Sequence, residues 1–131
     1  MVGKKGVIAI VIYNDKVLVG KKKETGKFLA GKWHIPGETL KENEDDKKAL
    51  IRGIKEEAGI DIKVVRSLAS HITPEDIEVK WYECKAKTFD IKAGSDLSDV
   101  KWVPIKEVRN FCDDESIALW PKEIREYFNY I

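Results

Sequence analysis

The sequence predicts an α+β fold in one domain spanning residues 1–131. Three observations carry that prediction. Runs of β-branched and apolar residues open the chain, a single amphipathic helical pattern follows near its middle, and two proline-led helical segments come late. Strands, helix, strands, then helices is the order of a layered mixed domain rather than of regular βα repeats. The length supports one hydrophobic core, and no repeat, linker or low-complexity stretch divides it.

The elements follow in order. GVIAIVIY (6–13) is apolar and β-branched, so it reads as a buried strand. Asn14-Asp15 is a turn pair, and Val17 to Gly20 returns as a second strand. KKKETGKFLAGK (21–32) is a polar loop. Trp33 to Ile35 is short and extended, because Pro36 disfavours helix in the residue before it. Asn43 is the expected helix cap, with Asp45 and Asp46 in the first turn near the positive end of the helix dipole. Leu50, Ile54 and Ala58 recur every four residues as the apolar stripe, and Gly59 ends the helix. Asp61–Thr73 and Ile77–Thr88 are strand-like runs around a turn at Pro74-Glu75-Asp76. Lys92 to Ser98 reads as loop and Val100 to Val103 as a short strand. Pro104 opens a short helix, and Pro121 starts a last one through Phe128.

Composition narrows the function classes. The formal net charge is +1, which gives no global field to attract nucleic acid. Lysines nevertheless dominate residues 1–32, whereas acids outnumber bases over 36–60. Cys84 and Cys112 lack metal-ligand spacing and read as free thiols in a reducing, cytoplasmic compartment. The apolar N-terminal run is too short to span a membrane.

The chemistry concentrates on the central helix. Positions 53, 56 and 57 lie on neighbouring helical rows, about a quarter-turn from the stripe through Leu50 and Ile54. One face is therefore expected to pack on a sheet while the next presents Glu56 and Glu57 on a polar side. Arg52, four residues before Glu56 and eight after Glu44, can brace either acid. Clustered hard oxygen ligands suit Mg2+ or Mn2+ and phosphate chemistry; a solvated charged helix face is the other reading of the same spacing.

The segment PGETLKENEDDKKALIRGIKEEAGI (36–60) resembles the Nudix box, G-x5-E-x7-R-E-U-x-E-E-x-G-U, where U is a bulky apolar residue. Glu44, Arg52, Ile54, Glu56, Glu57, Gly59 and Ile60 match it, WHIPG is similar to the segment that leads into the box, and WVPI (102–105) is similar to a later family feature. The resemblance covers nearly the whole chain. It implies a Nudix-type α/β/α sandwich with a mixed central sheet. It implies metal binding at Glu56, Glu57 and the carbonyl of Gly37, with Glu44 and Arg52 fixing the helix and loop and Gly59 as a structural box residue.

Two positions depart from the pattern. Glu38 stands where the first box glycine belongs, and Gly53 replaces the glutamate after the arginine, which in the family is often a ligand and in some members the general base. One reading makes these a single event, with Glu38 reaching into the space vacated at Gly53 as substitute ligand or base. The other leaves Gly53 loosening the helix and Glu38 on the surface. Asp90, Asp96 and Asp99 lie in or near a late loop where some relatives place a further ligand or base, and the sequence does not choose among them. Lys21, Lys22 and Trp33 are the candidate substrate-binding residues; His34 and His71 read as strand residues.

The resulting expectation is a pyrophosphohydrolase using Mg2+ or Mn2+ on a nucleoside diphosphate linked to another group, or on a nucleoside triphosphate. Its catalytic residues would be Glu38, Arg52, Glu56 and Glu57. The alternative is a non-catalytic nucleotide-binding or regulatory module of the same fold. A small-molecule nucleotide is the expected partner, with no membrane, nucleic acid disfavoured, and a homodimer allowed.

Overall fold

The structure is a computed structural model that describes residues 4–25 and 28–129. Strand β1 (Lys5–Tyr13) turns at Asn14 and Asp15 into β2 (Lys16–Lys22). Both turn residues take positive φ (48° and 62°), as a two-residue hairpin of the right twist requires. The strands pair only at Ile12–Val17 and Tyr13–Lys16 and then diverge. Strand β4 (Gly37–Thr39) fills the gap on the β1 side, against Gly6–Ile8. Strand β3 (Trp33–His34) does so on the β2 side, against Gly20 and Lys21. The segment between Pro36 and the helix, to which the sequence assigns no element, is therefore partly strand, because the splayed hairpin leaves β1 with unpaired backbone that β4 satisfies.

Helix α1 (Asp46–Ala58) follows, then β5 (Ile62–Ile72) and β6 (Glu78–Ala86) as an antiparallel hairpin. Strand β6 runs parallel to β1 from Lys5–Glu78 to Ile12–Lys85, so the sheet is mixed. Strand β7 (Leu97–Pro104) pairs along β2. It starts earlier than expected because Leu97 is buried against Gly20, where an added Cβ would lie 2.6 Å from a Leu97 methyl. A 3-10 turn (Ile105–Glu107), α2 (Val108–Phe111), α3 (Asp114–Ile117) and α4 (Lys122–Asn129) complete the described chain; α3 had no expectation behind it.

Both faces of the sheet are covered, which explains the nearly unbroken apolar run of β1. Val7, Ala9 and Val11 pack with Leu50, Ile54 and Ala58 of α1. Ile10 packs on the other side with Val108, Trp120, Ile124 and Phe128 of the C-terminal helices. The result is the expected α/β/α sandwich. Cys84 and Cys112 are buried free thiols in opposite clusters.

The helix cap is Asp45, whose Oδ1 accepts from Lys48 N–H at 2.8 Å. Asn43 instead occupies the preceding turn with φ 61°, a conformation asparagine tolerates. Gly59 ends α1 in the left-handed region at φ 72°, as expected.

Candidate active site

The candidate site lies where α1 meets β4. The backbone of β4 is pressed against β1, since a Cβ at Gly37 would come within 2.8 Å of the Val7 carbonyl oxygen. The next residue, Glu38, faces Gly53. A Cβ built on Gly53 would meet Glu38 Cβ at 2.8 Å, Cγ at 3.0 Å and Oε2 at 3.2 Å. The Glu38 side chain thus fills the volume that a side chain at position 53 would need. Its Oε1 accepts from Thr39 N–H at 3.1 Å.

Arg52 organises the acids on one side. Its Nε and Nη2 donate to the two oxygens of Glu44 at 2.7 and 2.8 Å, a bidentate pair. Nη1 donates to Glu56 at 2.7 Å and stands 3.6 Å from Glu38 Oε2. Nη2 also donates to the Thr39 carbonyl at 3.1 Å, tying α1 to β4. Glu44 accepts further from Lys41 N–H at 2.9 Å. The Arg52 hydrogen bonds, helped by Lys41, hold its carboxyl down at about 2. The same contacts push the guanidinium above its ordinary value, with Glu44 the largest cause.

Glu57 differs. It is only 4% exposed, and its Oε1 is a buried side-chain atom with no hydrogen-bond partner. Burial, then the negative charge of Glu38, pushes its carboxyl up to about 8. The expectation that Glu57 lies on a polar face is therefore corrected. The buried residues of α1 are Ala49, Leu50, Gly53, Ile54, Glu57 and Ala58, and Glu57 follows Leu50 and Ile54 at the 4, 3 spacing of one stripe. That spacing was readable in the sequence.

The loop after β6 docks on the C-terminal end of α1. Lys92 N–H donates to the Ala58 carbonyl and Gly94 N–H to that of Glu57, both at 3.0 Å. A side chain at Gly94 would collide with the Glu56 carbonyl oxygen at 2.5 Å. This docking brings Asp96, rather than Asp90 or Asp99, into electrostatic range of Glu57. Lys22 lies 4.0 Å from Asp96, and its positive charge also acts on Glu57.

Not every expected residue joins the cluster. Lys21 stands opposite Trp33 in the β2–β3 ladder and shares its face. Trp33 packs against the cluster under the C-terminal helices, with its ring 4.9 Å from Phe111 and Lys101 Nζ 5.4 Å above it. Lys22, one residue on, is the lysine near the carboxylates. The histidines are absorbed structurally, as expected. His34 bonds the Gly20 carbonyl at 2.8 Å, with burial pushing its pKa down to about 4, and His71 accepts from Trp81 Nε1 at 3.1 Å.

Among the described residues, no three His, Cys, Asp or Glu side chains converge closely enough to cage an ion unaided. Such a site would need main-chain, water or ligand oxygens as well, which is how Mg2+ is commonly held. Among the same residues, no helix is long and apolar enough to cross a membrane.

A family model described as the NUDIX domain matches residues 3–128. Two Arabidopsis thaliana proteins, Nudix hydrolase 2 and Nudix hydrolase 5, are each 28% identical to the chain over 112 and 113 residues. The matches cover 80% of this chain but only 40% and 37% of the plant proteins, so the chain spans well under half of their length. A crystal structure of a NUDIX hydrolase from Nitrosomonas europaea superposes with a TM-score of 0.82 at 18% identity, covering 98% of this chain and 72% of that one. That likeness concerns the fold.

Proposed function

The chain belongs to the NUDIX family, and from that premise we propose that it is a metal-dependent pyrophosphohydrolase cleaving a nucleoside diphosphate linked to another group, or a nucleoside triphosphate. The observation that carries this reading is the partnerless Oε1 of Glu57. A buried polar oxygen without a partner costs about 1–3 kcal/mol, and more when charged. A cation bound there would offset that cost. The negative side chains acting on Glu57 are Glu38, Asp96 and Glu56, and such hard oxygens suit Mg2+ or Mn2+; the Gly37 carbonyl is the main-chain oxygen that the box resemblance adds. When bound, such ions neutralise diphosphate charge and lower the pKa of coordinated water.

The chain's own residues supply the rest. Glu56 and Glu57 bind on the helix side and Glu38 on the strand side. Arg52, clamped by Glu44, keeps Glu56 and Glu38 from swinging apart. In this reading Lys22, 4.0 Å from Asp96, meets anionic substrate oxygens. In the reaction a water oxygen bonds to phosphorus, the phosphoanhydride P–O bond breaks, and the water proton passes to a carboxylate of the cluster. The substrate is a small nucleotide, and the two buried thiols fit a reducing, cytoplasmic setting.

A second reading, a nucleotide-binding module without turnover, draws on the missing carboxylate at position 53. One assay separates the two. The purified protein is incubated with nucleoside triphosphates, nucleotide sugars, ADP-ribose and dinucleoside polyphosphates, with Mg2+, Mn2+ or a chelator. Metal-dependent release of a phosphoanhydride product from any of them supports the hydrolase. Nucleotide binding without product across the whole panel favours the module.

A further inference from the structure

We propose that Glu38 supplies from strand β4 the metal-binding carboxylate that helix position 53 lacks, and that residue 53 must be glycine because Glu38 occupies its side-chain space. The inference deepens the reading above and rests on it for the identity of the ligand.

The packing is the first support. Glycine in a helix interior is unfavourable relative to alanine, so an internal glycine facing a neighbouring strand calls for a reason. Here the reason is that any Cβ at position 53 would lie 2.8 and 3.0 Å from the Cβ and Cγ of Glu38. These atoms lie at the root of the side chain, next to a β4 backbone itself pinned on β1, so they cannot easily move aside. Relief would require α1 and β4 to separate.

The direction of Glu38 is the second. Its side chain is 27% exposed, and Oε2 points between Arg52 Nη1 and position 53. Glu38 and Glu56 therefore flank one guanidinium nitrogen, at 3.6 and 2.7 Å. Glu57, deeply buried with its partnerless oxygen, lies within electrostatic range of both. Two of these carboxylates come from α1 and one enters from the strand. A side chain at position 53 and the native Glu38 side chain exclude each other, so a carboxylate can be present from either element but not from both.

The test uses the full chain and two readouts. Mn2+ binding is followed by the electron paramagnetic resonance of the free ion, and melting temperature is measured without metal. Glu38→Gln, which keeps the shape, is expected to weaken Mn2+ binding by about tenfold or more, the scale of loss when even a group supporting a ligand is removed. Gly53→Ala is expected to lower the melting temperature in the native background. In the Glu38→Gly background the same change should raise it, because the clash is gone and alanine is the better helix former. Glu38→Gly combined with Gly53→Glu should regain most of the Mn2+ affinity that Glu38→Gly loses.

Native Mn2+ affinity in Glu38→Gln, or the same sign of Gly53→Ala in both backgrounds, overturns the proposal. Its failure is distinguishable from that of the hydrolase reading. Mn2+ binding with the exchange behaviour but no turnover would sink the hydrolase alone, whereas turnover with Glu38→Gln unaffected would sink the exchange alone.

Discussion

Glu44 and Glu57 flank the same short segment and meet opposite treatment. Glu44 accepts two hydrogen bonds from Arg52 and one from the backbone, and its carboxyl is held far below the ordinary range. Glu57 is more deeply buried, has an oxygen with no partner, and is pushed far above that range. The contrast separates a carboxylate satisfied within the protein from one whose buried oxygen is left without a partner. Glu44 is satisfied within the chain, so it contributes to position and stability. Glu57 is a local cost in the metal-free protein, and such costs gather at functional sites.

Breaking the contrast at Glu57 should have the largest effect. Glu57→Gln removes the charge that a metal would need, so metal-dependent turnover should fall by about a hundredfold or more, the scale of a lost general acid–base group. The melting temperature without metal should hold or rise, because a buried carboxyl has become neutral. Steady-state rates alongside thermal melts decide it; full activity, or a large loss of stability with the metal absent, would remove the functional half of the comparison.

Arg52→Ala attacks the other half. It strips Glu44 of its bidentate partner and frees Glu56, so both stability and turnover should suffer. A destabilisation of about 1.5–3 kcal/mol is the scale for a charge-assisted hydrogen bond, and a loss of about tenfold in turnover is expected from misplaced ligands. Denaturant melts and rates with saturating metal check the two separately. Unchanged activity in a destabilised protein would make Arg52 a brace and nothing more.

Gly94→Ala probes how the late loop reaches Glu57. The new methyl cannot fit 2.5 Å from a backbone oxygen, so the loop must lift from the end of α1. A cost of about 1–3 kcal/mol is the scale of overpacking, and amide exchange at Lys92 and Gly94 should quicken. Protected amides there would mean that the docking tolerates a side chain.

The mildest test is pH. Folded Glu57, at about 8 against an ordinary 4.5, keeps a proton that the unfolded chain has lost. Its contribution to stability is full below 4.5 and disappears as pH rises through 8. Glu44 behaves oppositely: held at about 2, it contributes above 4.5, and that contribution disappears as pH falls towards 2. The metal-free melting temperature should therefore fall as pH rises from 4.5 to about 8 by an amount that Glu57→Gln abolishes, and fall also as pH drops below 4.5 by an amount that Glu44→Gln reduces. Melts from pH 3 to 9 would show both limbs, and an alkaline limb surviving in Glu57→Gln would assign it to another group.

Much of this molecule was determined by local sequence. The strand runs, the helix as far as Gly59 (its cap is Asp45 where the sequence points to Asn43), and the spacing of Glu44, Arg52 and Glu56 follow from period, turn chemistry and i, i+4 reach. Even the burial of Glu57 was written in its distance from Leu50 and Ile54, although its charge argued against reading it so. Other features needed the fold. Only the divergence of β1 from β2 makes 37–39 a strand, and only that strand turns Glu38 towards a glycine 15 residues later. Only the docked loop selects Asp96 over Asp90 and Asp99. The physical reason is range. Helical and strand periodicity act between near neighbours along the chain, whereas the fit of Glu38 into the space at Gly53 depends on how closely two separate backbones approach.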